Sequence, residues 1–262
     1  MPQFPNGVAY IIAEYAAQRT VVQWLQDIKM EDMSTGFVNF PAISRDEQKI
    51  RYLSGNPKAE DVLHGIEARR YQLCKNPADW ALDMIEADPD MIDMDALSYN
   101  PNPRAIALLE ANFNEINWEN LSVNRGAIHI LSKNLDKISS HHLQQNSSPQ
   151  AIDLIRQLHI VVTRHYLLPN SSDWAVDLLL ETALDDMEIQ LCAGNRNPRM
   201  IELQDPSKMT DIAWFMLCIN SGAISILKAH PHKVTMEIWQ NPAIFESTVP
   251  IGLNEALLNH KW

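Results

Sequence analysis

Apolar positions along this chain come in two alternating kinds. Tight groups with three- and four-residue spacings, such as Ala105, Ile106, Leu108 and Leu109, are followed by looser pairs such as Ile116 and Leu121. The tight spacing places side chains on one face of a helix, and Asn112 and Asn114 break it after two to three turns. The looser pair marks a shorter second helix. Its counterparts are Ile92 and Leu97, Ile138 and Leu143, Val162 and Leu167, and Val234 and Trp239.

The alternation is a repeat of roughly 22 to 24 residues, present in about eight copies. The run LSYNPNPRAIALLEANFNEINWEN from Leu97 is followed at Leu121 by LSVNRGAIHILSKNLDKISSHH, shorter by two residues after the asparagine. Further copies open at Leu73, Leu143, Leu167, Leu191 and Leu217, with a degenerate copy at Leu53 and a truncated one at Trp239. Asn56, Asn76, Asn100, Asn124, Asn146, Asn170 and Asn220 each stand three residues after an opening leucine; the Leu191 copy has Gly194 there and Asn195 next, read as an insertion. Length varies mainly in the turn after the asparagine, where a surface loop tolerates it.

Within the copy from Leu97, Asn102 and Pro103 supply a helix start: a side chain that accepts an orphan amide, then a residue with no amide to satisfy. The recurring asparagine reads as a left-handed helix stop, with proline following it at Pro57, Pro77, Pro101 and Pro242. Helices this short are marginal alone and must be held by their neighbours. The expected fold is therefore all-α, an α-solenoid of about eight two-helix repeats in which Ala81, Ala105, Ala127, Ala151, Ala175 and Ala223 allow close helix approach. Residues 1–52 are expected to form an N-terminal helical cap, with one long helix from Val8 to about Met30. Residues 53–245 form the array and residues 246–262 a C-terminal cap, with a short helix over Asn254 to Asn259.

The Leu-Ser-x-Asn-Pro-Asn-x-x-Ala-Ile-x-Leu-Leu-Glu-x-Asn motif, followed by Ile-x-Trp-x-x-Leu-Ser-x-Asn, resembles a short helical repeat of giant DNA viruses of the mimivirus and marseillevirus type. The resemblance is closest over Leu97 to Asn124 and extends from Leu53 to Phe245. It implies a non-enzymatic repeat protein of large-virus origin, virion-associated, with no catalytic residues to carry over.

Composition narrows the function further. A formal net charge of -12 opposes attraction to phosphate backbones and anionic lipid, so neither nucleic acid nor membrane is expected as principal partner. No apolar stretch is long enough to span a bilayer. Cys74, Cys192 and Cys218 are odd in number and lack metal-ligand spacing, which suits a reducing intracellular setting, cytoplasm or virion.

Candidate chemistry is sparse. Asp88, Asp90, Asp93 and Asp95 crowd together but lack the glycine and glutamate of a calcium loop, and they read as helix-start acids. No nucleophile elbow or glycine-rich phosphate loop is present. No catalytic residue, cofactor or metal is expected, and the chain reads as not an enzyme. Acids without lysine or arginine fill Asp79 to Asp95 and Asp173 to Glu188, and between them lies a basic segment. Its Lys137, His141, His142, Arg156, His159, Arg164 and His165 are the candidate partner-binding residues. The function expected is a protein-protein interaction scaffold. The alternative is a structural, virion-associated assembly component such as a minor capsid protein, for which self-assembly would be central.

Overall fold

A computed structural model of the chain describes residues 19–21, 23–33, 44–63 and 67–247. The protein is mostly helical, built from short α-helices and single 3-10 turns, the longest α-helix being Arg45–Ser54. Each repeat pairs a first helix, such as Pro103–Ala111, with a second, such as Trp118–Val123. As expected, Asn102 caps the first helix: its side chain accepts the Arg104 amide at 2.8 Å, and Pro103 occupies the first turn.

The asparagines hold the units together. Each is buried, and its Nδ2 donates to two carbonyls of the preceding unit: that of the preceding asparagine and that of the residue two positions before it. Asn124 donates to Asn100 at 2.8 Å and Ser98 at 3.0 Å, while its Oδ1 accepts the Gly126 amide at 2.9 Å. The same three bonds recur at Asn76, Asn100, Asn146, Asn170, Asn195, Asn220 and Asn241. Asn56, the first of the series, donates to the carbonyls of Trp239 and Asn241, the last, at 2.9 and 3.0 Å. Nine units thus form a closed cycle, in which each buried amide group finds the partners that its burial demands.

The residue after the opening leucine adds a second column. Ser98 Oγ accepts the Asn117 amide at 3.2 Å, Ser122 Oγ that of Ser139 at 3.0 Å, and Gln144 Oε1 that of Thr163 at 2.7 Å. Between these polar columns the opening residues are buried, as are Ala81, Ala105, Ala127, Ala151, Ala175 and Ala223, all fully inaccessible. One apolar cluster joins Leu53 and Leu63 of the first unit to Leu217 of the eighth and Ile238 and Phe245 of the last. The strand Arg19–Val21 pairs antiparallel with Phe245–Ser247 beside this junction.

Four expectations need correction. The asparagines do not stop helices in the left-handed region: Asn76 has φ -72° and ψ 121°, Asn124 φ -73° and ψ 111°. An extended backbone is what lets the side chain reach the preceding unit while its own Oδ1 meets the amide two residues on.

Second, the register slips by one in two copies. Asn195 and Asn241 donate their backbone amides to Cys192 and Ile238, as Asn76 does to Leu73, so Cys192 and Ile238, not Leu191 and Trp239, occupy the opening position. Leu191 is only partly buried, whereas Cys192 and Ile238 are fully buried. The extra residue of the seventh unit therefore lies before its opening position.

Third, the segment expected as one helix from Val8 to Met30 contains the strand Arg19–Val21, held by its partner strand; Val8 to Gln18 fall outside the described residues. Fourth, the array does not end in two free, capped faces, because its first and last units bond to each other. The helix Arg45–Ser54 crosses the boundary drawn at 52/53, and Asn254 to Asn259 lie outside the described residues.

Candidate functional site

The basic segment between the acidic runs comes apart into structural and exposed members. Arg164 makes a two-pronged ion pair with Glu188 of the next unit, Nε to Oε1 at 2.9 Å and Nη2 to Oε2 at 3.0 Å, and also donates to the Leu179 carbonyl and the Thr182 hydroxyl. Geometry of this kind fixes an arginine in place. The pairing lowers the Glu188 carboxyl below its ordinary range and raises the Arg164 guanidinium. Arg164 therefore joins two units and offers little charge to a partner.

His159 is also structural. It is the one non-glycine residue of positive φ among those described, at 50°, and it ends the helix Ala151–Gln157 with the Ile160 amide donating to the Ile155 carbonyl. His142 Nδ1 lies 2.7 Å from the Ser139 hydroxyl. Arg156 is exposed and pairs with Asp153 at 3.7 Å. Lys137 sits over the Trp118 ring at 5.1 Å. His141 stacks on Tyr166 at 4.6 Å, and His165 meets the same ring edge-on at 5.7 Å. Of the seven residues, the structure brings His141 and His165 together on one aromatic ring.

The structure also exposes apolar residues that sequence reasoning did not single out. Val161 and Val162 in the fifth unit, Met187 in the sixth and Ile212 in the seventh occupy neighbouring positions before the next opening residue, and all are exposed, Val161 at 84% and Met187 at 70%. In sequence, Val162 stands two residues before Arg164, which binds Glu188, next to Met187; Ile212 stands two residues after Thr210, whose amide donates to Gln190. Of the residues equivalent to Val162, Met187 and Ile212, Ile116 is buried and Ile92 and Ile138 are partly so. The position of Val162, Met187 and Ile212, five before the opening residue, is apolar in other copies too, as Ile92, Ile116 and Ile138, so nothing in sequence marks out the exposed ones.

A second surface follows the turns after the asparagines. The asparagines are followed in turn by Pro57, Pro77, Pro101, Arg125, Ser147, Ser171, Arg196, Ser221 and Pro242. Four of these, Pro77, Pro101, Arg125 and Ser147, from consecutive units, line a single open cavity of about 530 Å³ with Ser148 and Gln150. Arg196, three units on from Arg125, lies within electrostatic range of it. Surrounding protein first, and then the Arg125 charge, lower its pKa.

The remaining candidates are structural. Asp88 and Asp93 cap helices, accepting the Asp90 amide at 3.2 Å and the Ala96 amide at 3.0 Å. Among the described residues no group of three or more His, Cys, Asp or Glu is placed to hold a metal ion. All three cysteines are buried, and burial pushes the Cys192 thiol up to about 12 and Cys218 to about 11, far from the thiolate a nucleophile needs. Trp80 Nε1 bridges units by donating to the Pro57 carbonyl at 3.1 Å. No single helix among the described residues is long and apolar enough to cross a membrane.

Comparison with protein-family models, with curated proteins and with solved structures yields no match.

Proposed function

We propose that this chain is a non-enzymatic protein-protein interaction scaffold, an α-solenoid whose two-helix units close on themselves. The observation that carries the reading is the exposure of the apolar residues Val161, Val162, Met187 and Ile212 on three consecutive units. Exposed apolar residues on neighbouring units are what protein contacts bury. The partner is a protein with an apolar contact surface, met in the cytoplasm or in a virion, with neither nucleic acid nor membrane as principal partner.

The test is affinity capture of the tagged chain from its native cells, beside a variant carrying Val161→Ser, Met187→Ser and Ile212→Ser. These positions are exposed, so the variant folds. A defined protein recovered with the parent and lost with the variant supports the reading; recovery of the same proteins with both overturns it.

The same residues support a second reading, a structural component of a viral particle, for which the repeat's resemblance to those of giant DNA viruses gives the context. Here the partner is another copy or the coat. With Asn56 bonded to Trp239 and Asn241, stacking would use the faces or outer edge of the cycle rather than free ends. Sedimentation that shifts with concentration in the parent but not in the triple variant would favour this reading over the adaptor.

A further inference from the structure

We infer that the cavity between the helices Arg45–Ser54 and Arg70–Lys75 is a site for a phosphate monoester, whose dianionic phosphoryl group is held by Arg69 and Arg70 with Arg51 from the other helix.

The first argument is the make-up of the cavity. It measures about 400 Å³ and is lined by Glu47 and Arg51 of one helix and by Arg69, Arg70, Tyr71 and Gln72 at the start of the other. Glu47 and Arg51 stand four residues apart, which puts both on one face of their helix. The lining thus gathers three arginines and a single acid, in a chain whose formal net charge is -12. That acid is already engaged. Its Oε2 accepts the Ser44 amide at 2.8 Å and the Ser44 hydroxyl at 3.0 Å, closing the capping box that starts the helix, while its Oε1 lies 3.5 Å from Arg69 Nη2. Arg70 donates to the neutral carbonyl of Ile92. A guanidinium carries five donors, so both arginines keep donors for a ligand.

The second argument is what the position of Arg69 does elsewhere. Arg69, Asp93 and Asn117 are equivalent, each with its carbonyl accepting the amide of the opening leucine. Asp93 and Asn117 cap their helices, accepting the Ala96 and Asn120 amides at 3.0 and 3.1 Å. Arg69 makes no such bond, so its helix begins without the side-chain cap that its neighbours have. The run Asp93-Met94-Asp95 of the following copy is here Arg69-Arg70-Tyr71. Acids and a cap have been exchanged for two cations and a ring. Lys75 adds a charge on the Tyr71 side, its Nζ 5.3 Å from the centre of that ring.

The third argument concerns the ligand's chemistry. Guanidinium forks match the oxygens of carboxylates and phosphates alike, but a phosphate monoester carries about 1.5 to 2 negative charges near neutral pH where a carboxylate carries one. The surplus of arginine over acid favours the dianion, and the Tyr71 ring, 43% exposed, offers an aromatic face to the body of the ester. The volume lies within the range of small-ligand sites. A small phosphorylated molecule and a phosphorylated side chain share this chemistry.

The test is isothermal titration of the full chain, in dilute chloride buffer, with phenyl phosphate, with benzoate as the singly charged comparison, and with a short phosphotyrosine peptide. Phenyl phosphate should bind at least tenfold tighter than benzoate, and at least tenfold more weakly to the double variant Arg69→Gln, Arg70→Gln. The variant Arg104→Gln, Arg199→Gln removes the same charge outside the cavity and should bind as the parent does. Glu47→Gln keeps the capping box, which glutamine also serves, and removes the competing carboxylate. It should bind about threefold tighter than the parent, a gain that does not depend on how the double variant folds. Tighter binding of the peptide than of phenyl phosphate identifies a phosphorylated protein segment as the source, and weaker binding a small molecule. No binding of phenyl phosphate at millimolar concentration, equal binding of benzoate, or the same loss in both double variants would overturn the inference.

Discussion

Asn56 Nδ2 lies 3.0 Å from the carbonyl oxygen of Asn241, the same contact that every other asparagine of the series makes with its predecessor. A chain separation of 185 residues is bridged by a bond no different from those between adjacent repeats. Closure in this way leaves no terminal unit with a bare apolar face, which an open array must cover with special caps.

If closure persists in solution, Asn56→Ala should cost as much as Asn124→Ala. Each change removes three hydrogen bonds and strands two buried carbonyls and an amide, for a loss of about 3 kcal/mol or more. Urea titration of both variants measures it. An open array would fray at Asn56, and that variant would then be nearly silent. Asn124→Asp should be worse than Asn124→Ala near neutral pH, because a carboxylate has no donor for the Ser98 and Asn100 carbonyls.

Two glycines in the shortened turns predict an asymmetry. A Cβ on Gly126 would stand 2.6 Å from the Pro101 carbonyl oxygen, which is backbone and cannot swing aside; a Cβ on Gly222 would meet the Ile201 Cδ1, the end of a flexible side chain. Gly126→Ala should therefore cost about 1–3 kcal/mol by overpacking, and Gly222→Ala distinctly less. Thermal melts of the two variants in parallel decide it.

How much of this was legible in the sequence depends on the kind of information each feature carries. The repeat, its two-helix unit, the buried alanines and the cap at Asn102 follow from spacing and local chemistry, which a sequence displays directly. The recurrence of Asn124 and its equivalents was equally visible, but recurrence marks a position without naming the bond it makes. A left-handed helix stop and an inter-unit bridge ask for the same residue. Closure was not legible, because it depends on a small rotation per unit summed over nine units, and nothing in Asn56 or Asn241 alone records the sum. His141 and His165 lay in the basic segment, but their shared contact with Tyr166 arises only when the fourth and fifth units stack.

The junction between the last and first units holds a buried polar pair that should behave differently from the asparagine column. Tyr52 Oη donates to Glu237 Oε1 at 2.5 Å, and Glu237 Oε2 has no partner among the described residues. Tyr52→Phe should therefore destabilise by about 2 kcal/mol, within the range for hydrogen bonds to a carboxyl group. The loss should be smaller in a Glu237→Gln background, where the acceptor is neutral. A double-mutant cycle in urea gives the coupling directly, and equal losses in both backgrounds would refute it.

The buried thiols set a limit at alkaline pH. Burial raises Cys192 from an ordinary value of 9.0 to about 12 and Cys218 to about 11. A group whose folded pKa lies above its unfolded value contributes stability that is full below the unfolded value and is lost as pH rises toward the folded one. The window is thus from about pH 9 to 12. Between pH 8 and 11 the urea midpoint of the parent should fall more steeply than that of a Cys192→Ala, Cys218→Ala variant, although the variant starts lower because it leaves small cavities. Tyr52, also raised by burial and by Glu237, adds to the fall above its ordinary range and is common to both proteins. Parallel slopes would mean that the thiols ionise without unfolding the chain, and that the seventh and eighth units admit water around Cys192 and Cys218.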